Sequence, residues 1–204
     1  MDRFDDFLSG YEQGKLEEVK RVQTVGTDFS DLMKKYEEKL KNPEIQNYAH
    51  YHVQIITEVL TPDEINHFLQ ATQQYADHKD YSWKTGYMFS SLIQNSYDQG
   101  YNDFRLNTTL LPGIDLMGSY IVGKRKDPVL VTVQGNLGFV CADEARHSVF
   151  IVNGTVEKHF GLEAQSCTFK TSIWSNIEEM KWSIPKRKDN VLIYLDDGKE
   201  MIIP

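Results

Sequence analysis

One short pattern recurs in this chain at a fixed spacing, and few folds accommodate it. Val131-Thr132-Val133-Gln134-Gly135 is followed by Phe150-Ile151-Val152-Asn153-Gly154 and then by Phe169-Lys170-Thr171-Ser172-Ile173, each 19 residues after the last. The agreement continues between these segments: Ala142 matches Gly161, Ala145 matches Ala164, and Ser148 matches Cys167. A short unit returning at constant spacing cannot bury its apolar face alone and is stabilised by stacking on its neighbours. The expected fold class is α+β: an N-terminal helical unit, then a short β-helix (a β-solenoid of about 19 residues per coil), then a C-terminal β-hairpin.

Within each copy Val131, Val133, Phe150, Val152 and Phe169 alternate with Thr132, Ile151 and Lys170, the period of two that sends one set of side chains inward from a strand. Strands are expected over 129–134, 148–153 and 167–172, with Val131, Phe150 and Phe169 stacked directly above one another. Gly135, Gly138 and Gly154 supply corners, and small residues at Ala142, Ala145, Gly161 and Ala164 allow neighbouring coils to approach. In the third copy Ile173 and Trp174 replace the glycine corner, which reads as the last, closing coil.

The segments Gln134-Gly135-Asn136-Leu137-Gly138 and Asn153-Gly154-Thr155-Val156-Glu157, each after an alternating strand, resemble the Gly-Asn-Val-Gly repeats of the GXGXG right-handed β-helix superfamily. That superfamily includes the C-terminal domain of the large glutamate synthase subunit and the C subunit of formylmethanofuran dehydrogenase. Leu92-Ile93-Gln94-Asn95-Ser96 followed by Asn102-Asp103-Phe104 is similar to a lead-in of uncharacterised, archaeal-type proteins with such repeats. The resemblance covers about half the chain and implies a structural scaffold. It carries over no catalytic residue, and Glu157 departs from the glycine of the pattern.

The chain divides by hydrophobic period into a helical unit over 1–98 and a β unit over 104–204. Phe29, Leu32, Met33, Tyr36 and Leu40 share one helix face, as do Ile45, Tyr48, Ala49, His52, Ile56 and Val59, and then Ile65, Phe68, Leu69, Thr72 and Ala76. Asn42-Pro43-Glu44 and Thr61-Pro62-Asp63-Glu64 have the form of helix starts. A stretch around Phe4, Phe7, Leu8 and Tyr11 is weakened by Gly10 and Gly14. A further helix around Trp83–Ser96 runs almost directly into the first strand, so its Phe89, Leu92, Ile93 and Tyr97 are expected to cap the first coil. Val191–Leu195, the turn Asp196-Asp197-Gly198 and Lys199–Ile203 read as a hairpin capping the last coil.

Most of the net charge of −8 lies in the first hundred residues, which opposes binding to phosphate backbones; no nucleic-acid partner is expected. Lys124-Arg125-Lys126 and Lys186-Arg187-Lys188 each run into an aspartate and read as solvated turns. No run of 18 apolar residues and no charged-then-apolar leader occurs, so a cytoplasmic protein without membrane contact is expected. Cys141 and Cys167 are too few for a disulfide framework and read as buried thiols.

Candidate chemistry is sparse. His50 and His52 are two apart, which on a helix turns them to different faces, and no zinc spacing, Walker loop, nucleotide fingerprint or nucleophile elbow is present. No cofactor and no metal is expected. Asp143, Glu144, His147, His159 and Glu163 fall on the loop side of successive copies, where stacking would align them into one face; they form either a site or a solvated edge. The preferred function is a non-catalytic scaffold or protein-interaction module whose partner is a protein, a homo-oligomer included. The alternative is an enzyme acting on an extended substrate such as a polysaccharide through carboxylates on the solenoid face.

Overall fold

The computed structural model describes residues 28–42 and 57–204. The stretches expected as helix around Phe4–Tyr11 and from Ile45 to Ile56, with His50 and His52, lie outside the described residues.

Helix α1 (Ser30–Lys41) buries Leu32, Tyr36 and Leu40, four residues apart on one face. Helix α2 (Pro62–Ala71) starts with a full capping box: the Thr61 hydroxyl accepts from the Glu64 amide, and the Glu64 carboxylate accepts from the Thr61 amide. Ile65, Phe68 and Leu69 face inward from it. Helix α3 (Tyr81–Asp98) is buried along most of its length. Its Lys84, only 3% exposed, donates to the carbonyls of Leu40 and Asn42 at 2.8 Å each, satisfying the orphan acceptors at the end of α1. At Gly86 a Cβ would lie 1.8 Å from the Asp115 carbonyl oxygen, so only glycine lets the chain cross α3 there.

The strands are β1 (Asp103–Asn107), β2 (Val129–Gln134), β3 (Ser148–Asn153), β4 (Thr168–Thr171), β5 (Val191–Asp196) and β6 (Lys199–Ile203). The closed solenoid expected from the repeat is not what they build. They form one six-stranded mixed sheet in sequence order, parallel from β1 through β5 and antiparallel between β5 and β6. The connections add only isolated bridges, such as Ile114 with Leu137 and Arg146 with Gln165. The reason lies in their backbone. Val140, Ala142 and Glu144 in one connection, and His159, Gly161 and Glu163 in the next, all have left-handed φ between 52° and 68°. The period therefore persists outside the strands, but a residue with φ of that sign at every second position makes turns and cannot continue as extended strand.

Inside the sheet the repeat sets the register. Val131 pairs with Phe150 and Phe150 with Phe169, and the column extends to Phe104 on one side and Leu192 on the other. All five side chains are buried, and the rings of Phe150 and Phe169 stack at 5.6 Å with an 11° interplanar angle. The corners that follow β2 and β3 stack tightly: a Cβ on Gly154 would sit 2.0 Å from the Gly135 carbonyl oxygen. One buried cluster runs from Leu32 through α2 and α3 to Leu192, so helices and sheet share a core.

The two expected caps are placed differently. The edge of β1 is covered by α2, whose Asn66 side chain accepts from the Asn107 amide at 2.9 Å and whose Gln70 donates to the Asn107 carbonyl at 2.5 Å. Helix α3 lies instead against the first connection, where Ser90 Oγ donates to Leu116 O and accepts from Gly118 N. At the other end a helix, α4 (Trp174–Ser183), stands where a closing coil was expected. Its Asn176 accepts from the Val156 amide and donates to the Gly154 carbonyl, and its Ser183 donates to the Phe160 carbonyl. The hairpin forms over the expected residues, but β5 continues the parallel sheet beside β4, leaving β6 as an edge rather than a lid.

Candidate functional site

Two places gather side chains that the fold does not fully consume. The first is the acidic edge of the connections. Stacking brings their backbones together: Tyr120 N–H donates to Asp143 O at 2.8 Å, and Glu144 N–H to Leu162 O at 2.9 Å. Asp143 is half-buried, and its Oδ1 has no hydrogen-bond partner among the described residues. Burial first, and the neighbouring Glu144 charge second, push its carboxyl up to about 6. The same two acids, after burial, raise the Tyr120 phenol.

The other expected members of this edge stand in differing surroundings. Glu163 is exposed and ion-paired with Lys188. His147 is half-buried and donates its backbone N–H to Gln165 O, while His159 is exposed. Glu144, His147, His159 and Glu163 all occupy left-handed positions, where polar residues with short-range bonding capacity sit more readily than branched apolar ones. No group of three His, Cys, Asp or Glu among the described residues could hold a metal ion. Glycoside hydrolysis needs two carboxylates facing one substrate; here the acid of raised proton affinity keeps Oδ1 shut from solvent, and Glu163 is engaged by a lysine.

The second place is the β6 end of the sheet, which the residue pattern did not single out. A cleft of about 220 Å³ opens between α4 and the hairpin. Its lining is apolar at Met180, Ile184, Leu192 and Ile203, with Lys181, Lys186, Asn190 and Pro204 completing it. Asn190 is fully committed to the fold: its amide donates to Ala164 O and Pro185 O, and its oxygen accepts from Cys167 N. Beyond the lining, Trp182 of α4 is 91% exposed and Met201 of β6 47%, while Ile202, 73% exposed, points to the opposite face of the strand. Lys186–Lys188 form a single 3₁₀ turn closed by Asp189 in a left-handed conformation. The other basic cluster makes a turn in which Lys124 and Asp127 exchange backbone hydrogen bonds.

Helix α4 left a readable trace in the sequence: Ile177, Met180 and Ile184 fall at helical spacing, and Pro185 stops the run. The openness of β6 left none, since alternation along a strand does not say whether a neighbour pairs with it.

No helix among the described residues is long and apolar enough to cross a membrane. Cys141 and Cys167 are buried free thiols that donate to the carbonyls of Ile114 and Ala145, and burial pushes the Cys167 thiol up to about 11. Compared with protein families, curated proteins and solved structures, the chain finds no match, so the resemblance of its glycine motifs gains no relative.

Proposed function

We propose that this protein is a non-catalytic interaction module that docks a protein partner at the β6 end of its sheet, in a reducing, cytoplasmic setting. The cleft lining carries the reading: an apolar floor of Met180, Ile184, Leu192 and Ile203 with lysines at its margin. Catalysis needs convergent ionisable groups, whereas an apolar floor with a charged rim has the composition of a protein contact. Its volume also falls below the roughly 300 to 1,000 Å³ of small-molecule sites, and suits one or two anchoring side chains. Exposed Trp182 and Met201 add apolar surface near it, Ile202 stands exposed on the other face of the same strand, and β6 offers an unpaired backbone edge among the described residues. The two thiols, free and buried, fit a compartment that keeps cysteines reduced.

Site-specific photo-crosslinking in cells tests this reading. A benzophenone side chain at position 202 is expected to give a discrete protein adduct, while one at position 110 gives none, although Leu110 is 58% exposed. No adduct from position 202, or equal adducts from both, overturns it.

A further inference from the structure

Resting on that reading of the β6 end, we propose that the partner docked there is a second copy of this chain, with β6 of each copy antiparallel to β6 of the other about a two-fold axis near Met201 and Ile202. Three observations carry the pairing. Strand β6 is bonded on one side only, to β5, and its Met201 and Ile202 are exposed. A two-fold axis through Met201 sets that side chain against its own copy, with each Ile202 across from the partner's Glu200 and diagonal to the partner's Ile202.

The second observation is the charge at the two ends of the strand. At its end, Ile203 and Pro204 share the cleft with Lys181 and Lys186, and Arg187 follows in the same turn. Before its start, the hairpin turn exposes Asp196 and Asp197, which outweigh Lys199. Lys181, Arg187, Asp196 and Asp197 have no ion-pair partner among the described residues. With Met201 on the axis, Ile203 lies across from the partner's Lys199 and Pro204 from the partner's Gly198, one residue from the partner's Asp197. The acidic turn of each copy then meets the basic cluster of the other, twice by symmetry.

The third observation is what other occupants leave unanswered. A foreign acidic peptide matches the basic cluster and leaves Asp196 and Asp197 unpaired; a second copy matches both. A nucleic acid would find no free polar group to read on the cleft floor, because Asn190 is committed on every atom, and it would meet a chain of net charge −8.

The test is sedimentation equilibrium of the full chain from low to high micromolar concentration at low salt, with circular dichroism confirming that each variant is folded. The pair Asp196→Lys and Asp197→Lys makes both ends basic; the pair Lys181→Glu and Arg187→Glu makes both acidic. Wild type is expected to dimerise, and each variant alone to dimerise at least about tenfold more weakly. An equimolar mixture of the two variants is expected to recover association, because in that heterodimer both contacts join opposite charges. A dimer indifferent to both pairs of substitutions overturns the geometry, as does a mixture no better than its components. A wild-type chain that stays monomeric yet crosslinks from position 202 to another protein overturns self-pairing and leaves the interaction reading standing. A monomer with no adduct overturns both.

Discussion

The two edges of this sheet are finished in opposite ways. At β1 the polar groups of Asn107 are met by Asn66 and Gln70 of α2, and the strand's inward side chains Phe104 and Leu106 join the helical core. At β6 the backbone edge is unmet among the described residues, and Ile202 stands 73% exposed. An edge strand is a template for another chain, and folds commonly blunt it with a covering element or with charge. Covering β1 while leaving apolar side chains exposed on β6 is why the proposed contact is placed at the second edge and not the first.

The comparison requires that both edges belong to one cooperative core, and the largest expected effect tests that. Phe150 sits midway in the column from Phe104 to Leu192, 1% exposed, stacked on Phe169 and edge-on to Phe160. Phe150→Ala should cost about 3 to 5 kcal/mol, the loss of burial plus an unfilled cavity between retained neighbours. Urea unfolding read separately by tryptophan fluorescence and far-ultraviolet circular dichroism should shift as a single transition. Two separated transitions would show that the edges belong to different units.

At the closed end the next effect is Lys84→Ala. The Lys84 ammonium donates to the carbonyls of Leu40 and Asn42 and lies 3.4 Å from the Asp80 carboxylate, the lysine side chain being 3% exposed and the aspartate 26%. Removing it withdraws both hydrogen bonds from a site where the donor is almost fully buried, and the expected loss is about 2 to 4 kcal/mol. Lys84→Met restores the packing without the donors, so a similar loss there assigns the effect to the hydrogen bonds.

How much of this asymmetry could be read from residues alone follows from what each signal encodes. The 19-residue step fixed the pairing of Val131, Phe150 and Phe169, because identical chemistry at constant spacing allows only one register. The capping box at Thr61 marked α2, a local signal with a local cause. A first strand was expected just after α3, but its register was not legible because Phe104 lies 27 residues before Val131; the Thr108–Leu111 loop and the Lys124–Asp127 turn lengthen that connection and hide the copy. The closed solenoid was an over-reading of the same repeat: spacing says that units stack, while the left-handed residues at alternate positions decide whether their linkers are strands or turns. Of the candidate site, Asp143, Glu144 and Glu163 are brought near one another as the period implied, but the β6 cleft is assembled from α4 and the hairpin, two elements outside the repeat.

The connections between the edges should answer to pH through Asp143. The Asp143 carboxyl is raised to about 6 in the folded chain, above its ordinary value near 3.8, chiefly by burial. The folded state therefore binds this proton more tightly than the unfolded state, and stability falls as pH rises through that window. Above pH 6 the ionised, half-buried carboxylate is a burden that Asp143→Asn removes. After allowance for its partial exposure, the gain at pH 7.5 should be about 1 kcal/mol. It should shrink as pH falls from about 6 to 4, where the wild-type acid is itself neutral. Thermal melts of both chains across pH 4 to 8 measure it; a gain that persists unchanged at pH 4 would mean that charge is not its source.

The smallest effect is expected at the open edge, and its smallness is the point. Ile202 is among the most exposed apolar side chains and contributes little to the folded monomer, so Ile202→Ser should change stability by less than about 0.5 kcal/mol in dilute solution. Its counterpart at the closed edge, Asn66→Ala, strips the acceptor from the Asn107 amide and should cost about 1 kcal/mol. Concentration then separates the edges further. A chain that binds its own copy through β6 gains apparent stability as concentration rises, because association draws on the folded state only. Melts of wild type and Asn66→Ala should both move upward with concentration and keep their offset, whereas Ile202→Ser should melt at one temperature throughout. If Ile202→Ser follows wild type upward, the edge that the fold leaves open is not the one through which it associates.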